Sequence, residues 1–311
     1  MPSGSRLPCK TSSQPRLPKL PDTGAPATGQ MKARGWQVFN PAIYLVSILP
    51  GAGVWLLARP TGDNLSALIL GTLAVVLLQH AINLLNDVSD WRLGADVKKR
   101  DSWVRFHNEN LHMTGLHGWS SFLAGGLLGL GALALTGRFW ILGFALPMIA
   151  LGYLYNAGRR PLSYTRLGEW VTGLCYGPGV AGCLWLLTGQ SINTTAVLVM
   201  LAFAGLAVSL LLSHQPPQIE TDRQAGKHSF AVRYGARQTY QVSRGLFGMF
   251  LLTYGLALWL SRHTTITLAV FAAMAILAIY QTLQPPLGPK RILLPASTVI
   301  VTSLAVVLVT P

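Results

Sequence analysis

Asn83, Asn86, Asp87 and Asp90 stand at i, i+3, i+4 and i+7, so a helix turning about 100° per residue carries two amides and two carboxylates along one face. Gly94 follows and permits a break, and Asp96 beyond it can fold back toward the same point. Carboxylates crowded at the end of an apolar helix repel one another unless a cation or a positively charged partner joins them. The stretch therefore reads as half of a divalent-metal site, with Asp87, Asp90 and Asp96 as ligands and Asn83 and Asn86 beside them. A helix cap in a solvated loop is the plainer alternative for these five residues.

The other half lies far along the chain. Only ten acidic residues occur among 311, and six of them, Asp87, Asp90, Asp96, Asp101, Glu220 and Asp222, fall in two segments that follow the second and sixth apolar blocks. In the second segment the prolines Pro216 and Pro217 favour a helix start. Gln218 and Asp222 then share a face, while Glu220 points elsewhere. Arg223, Lys227 and Arg233 follow and supply positive charge of the kind a phosphorylated substrate needs. Two acidic clusters, each trailed by basic residues, suit Mg²⁺ carrying a diphosphate, because magnesium takes a few carboxylates and keeps its other positions for water and phosphate oxygens.

The elements that position these groups are membrane helices. The chain is 51% hydrophobic and 11% charged, and its apolar residues come in blocks, which marks an all-α polytopic membrane protein. Nine blocks have about the length of a span, near 37–58, 65–86, 118–136, 138–156, 168–187, 192–214, 240–261, 264–284 and 292–310. With nine spans, 21 of the 24 Lys and Arg residues fall on one side. The positive-inside rule makes that side cytoplasmic, with the N-terminus and both acidic segments on it, in an inner or cell membrane. Orientation thus accounts for the net charge of +14 and removes the need for a nucleic-acid partner. The three cysteines show no metal or redox spacing and read as packing residues. Residues 1–35, rich in Pro, Ser, Thr and basic side chains, cannot bury a core. They read as a disordered extension, or as an upstream mis-start with Met31 the true first residue, ahead of one helical domain over 36–311.

Taken together the two clusters resemble the UbiA-type intramembrane prenyltransferases. The spacing Asn83-x-x-Asn86-Asp87-x-x-Asp90-x-x-x-Gly94-x-Asp96, followed by Lys99-Arg100, is similar to the 1,4-dihydroxy-2-naphthoate polyprenyltransferase branch of menaquinone and phylloquinone biosynthesis. The stretches Gly152–Glu169 and Gly226–Gly235 agree, so the resemblance covers about residues 36–310. It implies a nine-helix bundle that moves a polyprenyl or phytyl group from its diphosphate to an aromatic acceptor, with Mg²⁺ as cofactor and the lipid bilayer as setting. It implies catalytic roles for Asn83, Asn86, Asp87, Asp90, Asp96 and Asp222, and metal ligation by the four aspartates among them. Diphosphate contacts fall to Lys99, Arg100, Arg223 and Lys227, and substrate contacts to Asn83, Tyr155 and Gln218. One position departs: the family's second motif usually opens with aspartate where Gln218 stands. Glutamine there is similar to the phytyl-transferring branch; it can ligate through its carbonyl oxygen but adds no charge.

Plainer roles exist for several of these residues. Tyr153, Tyr155 and Tyr164 fit an interfacial aromatic belt, Glu169 a favourable charge at a helix N-terminus, and His214 a hydrogen-bonded structural residue. Two rival functions remain at this point. One is a transporter with intramembrane acids, which would place its charges near the midplane. The other is a related transferase acting on 4-hydroxybenzoate, homogentisate or a chlorophyllide.

Overall fold

Lipid offers no partner to a backbone N–H or C=O, so an apolar run that crosses it must satisfy those groups as helix. The structure, a computed structural model, describes residues 41–94, 102–156 and 161–309, and among them there is no strand. The elements in chain order are α1 (Pro41–Ala58), α2 (Gly62–Leu93), α3 (Trp103–Phe106), α4 (Leu111–Thr136), α5 (Leu142–Asn156) and α6 (Gly168–Leu187). After them come α7 (Thr194–His214), α8 (Ile219–Gln224), α9 (Phe230–Leu260), α10 (Thr265–Leu283) and α11 (Lys290–Val309). Eight of the described helices are long and apolar enough to cross a membrane, and Tyr44–Ala58 of α1 forms a shorter apolar helix. The expected extension 1–35, Met31, Asp96, Lys99, Arg100 and Asp101 lie outside the described residues.

The most extensive pairings are α2 with α4, α7 with α9, and α10 with α11, while α1 packs on both α2 and α11 and so joins the first helices to the last. The core between them is rich in aromatic side chains. Phe203, Phe247, Phe250 and Tyr254 are fully buried, and the Tyr254 hydroxyl donates to the Gly53 carbonyl at 2.9 Å. On the outside, Leu123, Leu127, Leu252 and Ile276 are each at least 60% exposed. Large aliphatics left bare in this way are what a hydrocarbon solvent covers.

Three helices, α2, α4 and α9, run several residues beyond their apolar blocks, and α2 and α9 flank the expected site residues. With 32 residues α2 is about 48 Å long, against about 30 Å of hydrocarbon. The block expected to end near residue 86 therefore continues as helix to Leu93, and Asn83 to Asp90 ride its projecting turns. Gly94, at φ 82°, ends it in the left-handed region. In the same way α9 begins ten residues before the expected span, kinked at Gly235, whose φ 80° and ψ 167° only glycine adopts without strain. Hydropathy sees where lipid begins, not where helical hydrogen bonding stops. In α6, Cys175–Gly182 widens into a π-helical segment around Pro178, which relieves the missing donor and ring clash that proline brings to a helix interior.

Candidate functional site

The site is assembled where α2 ends and α9 begins, under three connecting segments. Asp87 and Asp90 are buried on α2, at 6% and 3% exposure, although both sit on its polar extension. The Asp87 carboxylate accepts the backbone N–H of Trp103 at 2.6 Å, which pins the start of α3 against α2. Asp90 is more heavily engaged. Its Oδ1 accepts the Tyr164 hydroxyl at 2.7 Å, and its Oδ2 accepts Asn86 Nδ2 at 3.1 Å and Lys227 Nζ at 3.4 Å. Asn83 lies half-buried one turn before Asn86 on the same helix.

Asp222 arrives from the far segment. It is buried in α8, accepts the Ser229 hydroxyl at 3.0 Å, and lies 4.0 Å from Lys227 Nζ. The Lys227 ammonium therefore stands between a carboxylate of α2 and one of α8, 4.7 Å over the ring of Tyr164. The backbone explains how a residue five beyond Asp222 returns to it. Lys227 N–H donates to the Asp222 carbonyl at 2.8 Å and Gly226 N–H to the Arg223 carbonyl at 3.1 Å, the pair of bonds of a Schellman helix end. That closure needs a left-handed residue, and Gly226 supplies it at φ 73°. Gly226→Val strains this turn by about 1–2 kcal/mol and displaces Lys227. Turnover by the purified variant is expected to fall about tenfold while the thermal midpoint changes by a few degrees, and Gly226→Asn, which tolerates the left-handed region, should retain most activity.

A brace behind the cluster holds the segments in register. Glu169, at the start of α6, accepts Gln215 Nε2 at 3.0 Å and the Phe230 N–H at 2.7 Å, and pairs with Arg233 at 3.5 Å. Gln215 also accepts the Ala231 N–H at 3.2 Å, and His228 N–H donates to the Tyr164 carbonyl at 3.0 Å. Two charged and amide side chains thus tie the N-termini of α6 and α9 to the C-terminus of α7.

Of the residues expected from the sequence, the structure gathers Asn86, Asp87, Asp90, Asp222 and Lys227 at this end of the bundle. Tyr155, half-buried near the end of α5, lies within electrostatic reach of Glu169, Asp90 and Asp222. Arg223 turns away to pair with exposed Glu220 at 3.0 Å, and Gln218 bonds His214 at 3.2 Å on the outer side. Arg233 is committed to Glu169. Tyr164, Gln215 and Ser229 were not singled out for the site by spacing; only the aromatic in the Gly152–Glu169 stretch gave any signal. Among the described residues, no three His, Cys, Asp or Glu side chains are close enough to hold a metal ion by themselves.

Comparison with known proteins identifies the family and the fold. The UbiA prenyltransferase family matches residues 44–292. A 1,4-dihydroxy-2-naphthoate octaprenyltransferase of Haemophilus influenzae is 30% identical over 213 residues, covering 65% of this chain and 69% of the relative. A 2-carboxy-1,4-naphthoquinone phytyltransferase of Synechocystis is 31% identical over 228 residues, covering 70% and 72%. Among solved structures, a UbiA homologue from Archaeoglobus fulgidus bound to GPP and Mg²⁺ aligns over 87% of this chain and 96% of its own, with a TM-score of 0.60 and 15% identity. The apo structure of a UbiA homologue from Aeropyrum pernix K1 aligns over 86% and 98%, with a TM-score of 0.64 and 17% identity. The transporter alternative falls with these matches, and the chain belongs to the UbiA prenyltransferase family, as an integral-membrane prenyltransferase.

Proposed function

We propose that this prenyltransferase moves a polyprenyl or phytyl group from its diphosphate onto 1,4-dihydroxy-2-naphthoate, with Mg²⁺ at the two acidic clusters. The single observation that carries the reading is the Asp90–Lys227–Asp222 contact, in which carboxylates from α2 and α8 converge on one cation. The ammonium marks a cation-sized volume with oxygen donors on both sides, the chemistry a hard ion takes. A few dispersed carboxylates suit a magnesium that keeps water and phosphate oxygens as its other ligands better than an all-protein cage would. Asp87, Asp90 and Asp222, with Asp96, are the residues that would hold it, and bound there it supplies positive charge to the diphosphate leaving group.

The chain's own residues do the rest. Lys227 stabilises the charge that grows on diphosphate as the allylic C–O bond breaks, and Lys99 and Arg100, which follow the acidic helix in the sequence, keep the diphosphate-binding role expected of them. Tyr155 and Tyr164 line the volume where the allyl cation forms, since aromatic faces favour a cation while excluding water. The acceptor carbon then bonds the allylic carbon, and the acceptor's carboxylate leaves as CO₂ with its electron pair returned to the ring. Asn83 contacts substrate beside this point. Gln218 and Arg223 serve only if α8 turns on binding. The charge distribution supports a cytoplasmic placement of the site and N-terminus in a single domain over 36–311.

The acceptor assignment is supported by the naphthoate-directed names of the relatives. Its test uses the purified chain in lipid nanodiscs with Mg²⁺, geranylgeranyl diphosphate and a set of acceptors. Prenylated naphthol with CO₂ release is expected, and EDTA should abolish it. A chain that alkylates 4-hydroxybenzoate or homogentisate and ignores the naphthoate overturns the reading, as does a deletion strain that retains its naphthoquinones.

A further inference from the structure

Beside the acidic helix, four side chains form one continuous line of hydrogen bonds. The Tyr44 hydroxyl of α1 lies 2.6 Å from His80 Nδ1 of α2. His80 Nε2 lies 3.3 Å from His117 Nε2 of α4, and His117 Nδ1 lies 3.2 Å from His107 Nε2, just after α3. With neutral rings, only two proton arrangements satisfy all three contacts. In one, each group donates toward His107; in the other, each donates toward Tyr44. Passing a single proton along the line converts the first into the second, since every imidazole accepts on one nitrogen and releases from the other.

The line has an inner and an outer end. Tyr44 and His80 are 6% and 9% exposed, whereas His117 and His107 are half-exposed. It also touches the site. The Trp103 ring stands edge-on to His80 at 5.0 Å and to His117 at 5.5 Å, while the Trp103 N–H holds Asp87. His80 lies seven residues before Asp87, hence on the same face of α2 and about 10 Å deeper. Burial first, and His117 second, hold the His107 imidazole below its usual range, so the outer station is neutral near pH 7. Tyr44 at Nδ1 and His117 at Nε2 already satisfy the buried His80. The further contact from His117 to His107 carries the line outward beyond that need.

We propose that Tyr44, His80, His117 and His107 form a proton relay serving the ring hydroxyl of the aromatic acceptor. The proposal rests on the reading that the acceptor is a hydroxyarene held beside Asp87. As the arene carbon bonds the allylic carbon and the C–O electron pair leaves with diphosphate, the ring hydroxyl gives its proton to Tyr44, which passes its own to His80. One proton then leaves from His107 to water, and the ring becomes a dienone. When the carboxylate departs as CO₂, its electron pair restores the aromatic ring and places negative charge on the ring oxygen. The relay runs backward and returns a proton there, so the cycle is proton-neutral. Tyr44 touches substrate; His80, His117 and His107 act through it as positioning and transfer groups.

The test compares wild type with His117→Ala and His107→Ala, full-length in nanodiscs, using Mg²⁺, geranylgeranyl diphosphate and 1,4-dihydroxy-2-naphthoate. Loss of a general acid–base path lowers kcat by about 100-fold. KM for the diphosphate should stay within about twofold, and added imidazole should restore much of kcat in both variants. A kcat that is unchanged, or one that falls in both variants without imidazole rescue, overturns the relay. His107 is half-exposed and outside the core, so His107→Ala reports on the relay even where His117→Ala fails to fold. Wild type that alkylates no hydroxyarene overturns the acceptor reading and the relay together; active wild type with unaffected variants overturns the relay alone.

Discussion

Asp90→Asn lowers prenyl transfer by about 10³-fold, equivalent to about 4 kcal/mol of lost transition-state stabilisation. The substitution keeps shape and removes charge at the one carboxylate that touches α2, the Tyr164 segment and the Lys227 turn together. An amide there must present a donor to something. Asn86 Nδ2 and the Lys227 ammonium both approach Oδ2 as donors, so the new NH₂ settles on the other side and donates to the Tyr164 hydroxyl, which can accept it. The contacts are then kept with one reversed, and what is lost is the charge. The decisive measurement is binding, not rate alone. Wild type should gain thermal stability when Mg²⁺ and pyrophosphate are added, by mass action on the folded state, and Asp90→Asn should gain almost none. A variant that retains both activity and the Mg²⁺ response removes Asp90 from the metal site.

Why the sequence disclosed one jaw of this site more fully than the other follows from how each is built. Asp87 and Asp90 lie on an uninterrupted helix, where position in the chain converts directly into direction in space. Helical spacing placed them correctly, as it placed Glu220 away from Asp222. The second jaw is a turn. Lys227 reaches Asp222 through the left-handed Gly226, and the angle of such a return is set by two backbone bonds that no periodicity encodes. Gln218 shares a nominal helical face with Asp222, yet it belongs to the short turn at Pro216–Gln218 ahead of α8 and bonds His214 instead.

The brace was the least legible part. Glu169 resembles an ordinary first-turn acid, and its partners Gln215 and the Phe230 N–H lie 46 and 61 residues away. The membrane helices were legible because lipid selects one property, hydropathy, over a fixed length. Their polar extensions were not, because buried polar partners sustain α2 and α9 beyond their apolar blocks. The expected site residues sit on the extension of α2 and in the segment just ahead of α9.

Lys227→Met is expected to separate the two tasks of the ammonium. Its side chain is 17% exposed and lies between Asp90 and Asp222, whose side chains are 4% and 10% exposed. Removing it leaves two carboxylates facing each other without their shared cation, which for buried pairs costs about 3 kcal/mol. In EDTA the variant should therefore melt below wild type. Mg²⁺ competes with the ammonium for the same oxygens, so in its absence from residue 227 the ion should bind with less opposition and restore more stability than it gives wild type. Turnover should nonetheless fall by about 100-fold, because the positive charge that Lys227 brings to the departing diphosphate is gone. This is the opposite pattern to Asp90→Asn, in which stability in EDTA is nearly kept and the Mg²⁺ response is lost. If Lys227→Met melts like wild type in EDTA and responds equally to Mg²⁺, the ammonium does not share a site with the metal, and the two acidic clusters do not close on one cation.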